Sequence, residues 1–212
     1  MKIYDLSHKL NNHSPVYPGN QQPDFLPSAL IETHGYRETH LRFHSHLGTH
    51  IDAPAHMIAS GLTLDQLPVG HFWGKAVIIH TENKNPIDIE IPARWKKEIK
   101  KSDFVIFHTG WSKFWGSPAY FGNFPVLTSK AVNFLLQFNL KGIGFDHISA
   151  DPMDSKDFPN HYAILGKNII IIENLVFPDG FAENSGEFSC FPLPYENADG
   201  SPVRAVLKCK ST

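Results

Sequence analysis

Three features of the sequence predict a mixed α/β domain with a largely parallel centre and an antiparallel C-terminal addition. They are a length of 212 residues, apolar runs alternating with amphipathic segments from Lys75 onward, and a turn dipeptide inside a late β-rich stretch. Hydrophobic residues make up 42% and charged residues 19%, which places the chain among globular proteins, and its length suits one domain spanning 1–212.

The elements follow in order. Pro15, Pro18-Gly19, Pro23 and Pro27 punctuate the N-terminal third, which reads as loops. GKAVIIHTE (74–82) is a buried strand, and PARWKKEIKKS (92–102) is a helix with proline at its start and amphipathic spacing. DFVIFHTGW (103–111) returns to strand, SKAVNFLLQFNL (129–140) to helix and GIGFDHIS (142–149) to strand. NHYAILG (160–166) is a short helix stopped by Gly166, and NIIIIENL (168–175) is a further strand. FSCFPLPYENADGSPVRAVLK reads as a hairpin with Asp199-Gly200 at its turn.

Composition narrows the function. The net charge is −2, from 19 basic and 21 acidic residues, and the basic cluster Lys96, Lys97, Lys100 and Lys101 lies in a solvated segment, so nucleic acid is not an expected partner. The segment MKIYDLSHKLNNHSP lacks the apolar core of a signal peptide, and no run approaches eighteen apolar residues; a soluble, cytoplasmic protein without a membrane partner is expected. Cys190 and Cys209, far from the histidines, indicate neither a disulfide framework nor a thiolate metal site.

Histidine is the outlying residue type. Of 13 in the chain, His34, His40, His44, His46, His50 and His56 fall between positions 34 and 56. The run HSHLGTHIDAPAH (44–56) sets histidines and Asp52 around Gly48 and Pro54. Zinc ligands sit ~2.0–2.2 Å from the ion, so their donor atoms must converge. A helix would turn Asp52 away from His46 and His50, while a straight strand at ~3.3 Å per residue would hold the two histidines ~13 Å apart. A strand that bends or bulges at Gly48 and ends in a turn at Ala53-Pro54 satisfies all three residues. His40 and His44 fall outside this convergence and read as structural. Three ligands call for a distal partner. The candidates are His161, opening the short helix, and Glu173, closing the run IIII, where an ionised carboxylate is costly to bury without compensation. Ligation by histidine and carboxylate suits Zn²⁺ or Mn²⁺.

The run His46-Leu47-Gly48-Thr49-His50-Ile51-Asp52-Ala53-Pro54-Ala55-His56 (HxGTHxDAPxH) resembles the signature of the cyclase-like metal-dependent hydrolases, which include kynurenine formamidases and isatin hydrolases. YDLSHKLNNHSPVYPGN, HTGWSKFW and FPNHYAILGKNIIIIENL extend the likeness over nearly the whole chain. The resemblance implies a swivelling β/β/α fold and two divalent metal ions, with His46 and His50 on the first, His161 on the second and Asp52 and Glu173 bridging. It implies that His56 donates and accepts protons, that Tyr17 contacts a substrate ring, and that the protein forms a homodimer or higher homo-oligomer. The activity implied is hydrolysis of a C–N bond in a small amide, an aryl formamide or a cyclic amide, by metal-activated water. His108 stands where the family often has arginine, and Asn20 where it often has aspartate; both are expected on the pocket wall. Trp111, Phe114, Trp115, Tyr120 and Phe121 offer either a further apolar wall or ordinary packing.

Two rival readings use the same residues. One is an oxygenase with Fe(II) held by His50, Asp52 and His161, which leaves His46, His56 and Glu173 without a role. The other is a non-catalytic metal- or ligand-binding protein, against which a metal position left open by the protein ligands argues.

Overall fold

The computed structural model describes residues 1–81 and 84–210. Among these the elements are β1 (Lys2–Asp5), β2 (Asp24–Ala29), α1 (Ile31–His34), β3 (Glu38–Arg42), β4 (His50–Asp52), β5 (Trp73–His80), α2 (Glu90–Arg94), α3 (Lys96–Ile99), β6 (Phe104–His108), α4 (Ser129–Leu135), β7 (Gly142–Phe145), α5 (Pro159–Leu165), β8 (Ile170–Glu173), β9 (Ser185–Pro192) and β10 (Gly200–Cys209). The main sheet runs β1-β10-β4-β8-β7-β6-β5-β9, and β9 pairs again with β10, so the sheet closes on itself. β5 to β8 form the parallel centre, while β4, β9 and β10 enter antiparallel. This is the expected mixed sheet with flanking helices.

Strands buried on both faces need apolar residues at every position, which is why the central runs are continuous and not alternating. Ile78, Ile106, Ile170 and Ile172 point into the enclosed core with Phe104 and Phe188. Their neighbours Val77, Ile79, Val105, Phe107 and Ile171 pack outward against apolar residues of α4 and α5, including Val132, Leu135, Ile164 and Leu165. Each such side chain, fully buried, contributes roughly 1.5–3 kcal/mol of transfer free energy. Cys190 and Cys209 are both buried and unpaired with each other.

Several predicted boundaries move. The expected helix 92–102 starts earlier and breaks in two at Trp95 (φ −97°, ψ 14°), whose side chain packs against the outer apolar layer. The helix expected over 129–140 ends at Leu135, and the strands expected over 103–111, 142–149 and 168–175 shorten to Phe104–His108, Gly142–Phe145 and Ile170–Glu173. The end of the first predicted strand, at Glu82, lies outside the described residues. Asp199-Gly200 is not the tip of the C-terminal hairpin. Gly200 opens β10 opposite Asp52, and the reversal is made by the preceding residues, among them Asn197 at φ +57°.

Two registers position the site. β4 and β8 place His50 directly opposite Glu173, and β10 places Gly200 opposite Asp52. Apart from this body, β2 and β3 form their own two-stranded sheet, with α1 between them and none of its residues buried. Among the described residues no helix is long and apolar enough to cross a membrane.

Candidate metal centre

The bend expected in the histidine segment is present. Gly48 has φ +63°, a conformation that side chains rarely adopt, and a Cβ there would collide with Leu10. The chain then enters β4 and leaves it through a single 3-10 turn, Pro54–His56, with proline at the start. As a result the His46 and His50 ring centroids are 5.1 Å apart, far closer than a straight strand allows.

Five side chains converge. His46 Nδ1 lies 2.6 Å and His50 Nε2 3.3 Å from Asp52 Oδ1. His50 Nε2 is 3.4 Å from Glu173 Oε2, and His161 Nε2 is 3.3 Å from Glu173 Oε1 and 3.8 Å from Asp52 Oδ2. His46, His50 and Asp52 thus present one triple of donor atoms, and Asp52, His161 and Glu173 a second, each triple lying within 4.8 Å. All but His46 are almost wholly buried. Glu173 is turned inward and almost wholly buried, and it accepts the Ala150 backbone N–H at 2.9 Å.

Whether these residues fit divalent ions can be judged from what they leave unsatisfied. Asp52 Oδ2 is buried and has no hydrogen-bond partner. An orphaned carboxylate oxygen costs roughly 1–3 kcal/mol or more, and such sites mark a role that hydrogen bonding does not fill. A nitrogen and oxygen donor set without thiolate matches Zn²⁺ or Mn²⁺. The residues fit.

The electrostatics agree. Burial would lower the imidazolium pKa of His50, but hydrogen bonds to Asp52 and Glu173 outweigh it and raise the value to about 10. Burial also opposes charge on His46 and His161, yet Asp52 and Asp199 lift the first to about 9, and Asp151 and Glu173 lift the second to about 10. Burial likewise disfavours the charged carboxylates, but the histidine charges hold Asp52 well below its ordinary range and hydrogen bonds from His161 and His50 lower Glu173. Without metal the cluster therefore holds protons that a cation must displace. Because these histidine values are raised by folding, the stabilisation they contribute is complete below pH ~6.5 and disappears as pH climbs through 9 to 10. The metal-free melting temperature is expected to fall over that window. Metal affinity is expected to rise about tenfold per pH unit for each proton displaced. Thermal melts with and without chelator at pH 6.5 and 9 test this; a gap between them that does not widen would refute it.

A cavity of about 220 Å³ opens above the cluster, lined by Pro15, Tyr17, Asn20, Met57, Ile148 and Phe158 together with the five donors and His56. His56 lies beside the donors, its ring centroid 4.1 Å from that of His46 and 6.5 Å from that of His161. Burial, as the leading influence, lowers its pKa, which keeps it neutral at pH 7. Tyr17 and Asn20 are on the wall as expected.

His108 is not on that wall. Its side chain points into the enclosed core, 4.3 Å from the Phe177 ring and with Nδ1 3.0 Å from that of His80, because successive residues of β6 face opposite sides of the sheet. Of the aromatic group after it, none lines the cavity. Trp111, Phe114, Trp115 and Phe121 pack with Tyr120, Phe124 and Ile148 in a cluster that Tyr17 caps. His40 and His44 are exposed and do not join the cluster.

Sequence reasoning missed the groups behind the histidines. His161 Nδ1 lies 2.7 Å from buried Asp151, His50 Nδ1 2.8 Å from the Gly48 carbonyl, and His46 Nε2 3.0 Å from Asp199. Asn174, in left-handed conformation, donates to the same Gly48 carbonyl and accepts from Tyr120. Asp151, Asp199 and Asn174 lie 10, 153 and 124 positions from the histidines they adjoin, so no local signal exposes them, and the Gly48 carbonyl, two residues from His50, is a backbone group that side-chain patterning does not register.

Fold and donor set define a class: an α/β protein with a buried nitrogen and oxygen cluster able to take divalent cations. The chain belongs to the putative cyclase family, whose profile matches residues 4–152. It is a hydrolase of that family. It is 31% identical over 211 residues to a kynurenine formamidase of Geobacillus thermodenitrificans (strain NG80-2), covering 96% of each chain. A solved structure described as a potential metal-dependent hydrolase with cyclase activity matches with a TM-score of 0.81 at 26% identity, covering 97% of this chain and 96% of the other. An isatin hydrolase bound to the product analogue thioisatinate has the same fold, with a TM-score of 0.85 at 21% identity over 97% of this chain and 91% of the other.

Proposed function

We propose that the protein is a metal-dependent amide hydrolase that cleaves a C–N bond in a small ring-bearing amide, an aryl formamide of the N-formylkynurenine type or a cyclic amide. The observation that carries this reading is the buried convergence of His46, His50, Asp52, His161 and Glu173 beneath a cavity with His56 on its wall. The similarity to a kynurenine formamidase supports the substrate class. A cavity of about 220 Å³ faced by Tyr17, Met57, Ile148 and Phe158 suits a flat apolar ring.

His46, His50 and Asp52 would hold one ion, His161 with Asp52 and Glu173 a second. Divalent ions bound there supply Lewis acidity, bringing the pKa of water toward ~7 and polarising a carbonyl. The remaining work belongs to the chain. Tyr17 and Phe158 hold the substrate ring, and Ile148 and Met57 keep bulk water from the scissile bond. Neutral His56 takes the proton of the water whose oxygen bonds to the carbonyl carbon, then returns it to the nitrogen as the C–N bond breaks. Protonation of the leaving nitrogen matters because an arylamine anion departs poorly.

Hydrolysis of N-formylkynurenine, isatin and simple aryl formamides is expected to stop on chelation and return with Zn²⁺ or Mn²⁺. Hydrolysis insensitive to chelator would refute the reading.

The protein is also proposed to act as a homo-oligomer. The β2–β3 arm exposes the apolar side chains Leu26, Leu30, Ile31, Tyr36 and Leu41, with Leu26 and Leu41 on opposite faces of the two strands, so a second copy would have to enclose the arm to cover them. Light scattering is expected to show a dimer or larger assembly that Leu26→Glu with Leu41→Glu dissociates; a monomeric wild-type protein would end this proposal.

A further inference from the structure

Each histidine of the cluster turns one ring nitrogen inward and has the other held from outside. His50 and His161 present Nε2 to the carboxylates and are held at Nδ1 by the Gly48 carbonyl and by Asp151. His46 is reversed. Its Nδ1 faces Asp52 at 2.6 Å, and its Nε2 faces Asp199 Oδ2 at 3.0 Å. It is also the most exposed of the three, its side chain retaining 19% of its accessible surface, so burial constrains it least.

Two independent features fit the Asp199-Gly200 pair to this ring. The Asp199 carboxylate is anchored: Ser45 Oγ donates to Oδ2 at 3.2 Å, and the Asp199 carbonyl accepts the Ala53 N–H at 2.9 Å, tying it to the turn that follows Asp52. Gly200 leaves the ring its space. A Cβ there would sit 2.5 Å from His46 Cε1 and 2.8 Å from Nε2. Lying opposite Asp52 in the β10–β4 register, Gly200 is built into the sheet and cannot easily retreat.

We propose that Asp199 and Gly200 clamp His46 from outside, holding it protonated on Nε2 so that Nδ1 faces the metal centre, and that Asp199 is a positioning residue and not a ligand. The inference rests on the reading of the cluster as a metal centre. A carboxylate that accepts the outer N–H of a ligating histidine fixes its tautomer and orientation and raises its basicity. Removing such a partner typically weakens metal binding about 10–100-fold.

The test measures zinc binding by full-length protein against a chromophoric chelator. Wild type is expected to bind two equivalents. Asp199→Ala is expected to weaken one of them by about 10–100-fold while the other keeps its affinity. Asp199→Asn, whose amide oxygen can accept the same N–H, is expected to recover most of the loss. Long-range ¹H–¹⁵N spectra of the zinc-loaded wild type are expected to show His46 protonated on Nε2. Wild-type affinity in Asp199→Ala, equal loss in both variants, or protonation on Nδ1 would overturn the clamp. So would a third equivalent bound by wild type and lost in Asp199→Ala, since His46, His56 and Asp199 also lie within 4.8 Å and Asp199 would then be a ligand. Wild type that binds no zinc would instead refute the metal centre itself. Gly200→Ala is expected to reproduce the selective loss, and the Asp199 pair decides the question if that variant does not fold.

Discussion

Asp52→Ala is expected to abolish both metal binding and turnover, because Asp52 is the member common to the two donor triples. Its Oδ1 faces His46 and His50, and its otherwise unpartnered Oδ2 faces His161. No other side chain in the cluster approaches all three histidines. In the metal-free protein the carboxylate also balances positive charge on buried imidazoles, and breaking a buried pair from one side typically costs about 3–5 kcal/mol. The affected histidines can relieve part of this cost by releasing protons, so destabilisation should be largest at low pH, where release is hardest. Elemental analysis and thermal melts of Asp52→Ala and Asp52→Asn check this. Two ions per chain with full turnover in Asp52→Ala would remove the shared-carboxylate account.

His56→Ala is expected to do the opposite: to keep the ions and lose about 10²–10⁴ in kcat. His56 Nδ1 has only a distant carboxylate, Asp199 at 3.9 Å, and the side chain keeps 28% of its surface accessible, so removing it leaves no buried charge unpaired. The fold should therefore survive. Because burial lowers its pKa from 6.5, wild-type kcat/KM is expected to hold down to below pH 6.5 and to fall only as His56 takes up a proton. Added imidazole should restore part of the activity of the alanine variant. Unchanged kcat in His56→Ala would mean that proton transfer is carried by another group.

How much of the site could be read beforehand depends on how each residue was reached. The His46–Asp52 segment declared itself because its spacing admits only one backbone solution, and Gly48 at φ +63° is that solution. Glu173 stood out through the cost of ending an apolar strand in a carboxylate. The aromatic run 111–121 was ambiguous, since apolar side chains pack in a core or line a pocket with the same chemistry; here they pack beside the cavity. His108 was misplaced because its position rested on likeness alone, whereas the pleat of β6 turns it to the inner core.

By itself the sequence determined the local matters: the continuous apolar runs of a sheet buried on both faces, the glycine kink, and which histidines and carboxylates to expect in one cluster. Covalent geometry and burial cost act over a few residues and leave their mark in spacing. Only the tertiary structure decided which residues stand behind the donors. Asp199 meets His46 across 153 positions, and Gly200 meets Asp52 through a strand register, because the antiparallel pairing of β10 with β4 lays a late strand beside the histidine segment. Contacts of that kind depend on how strands pair in space, and strand pairing is not written in the spacing of any one segment.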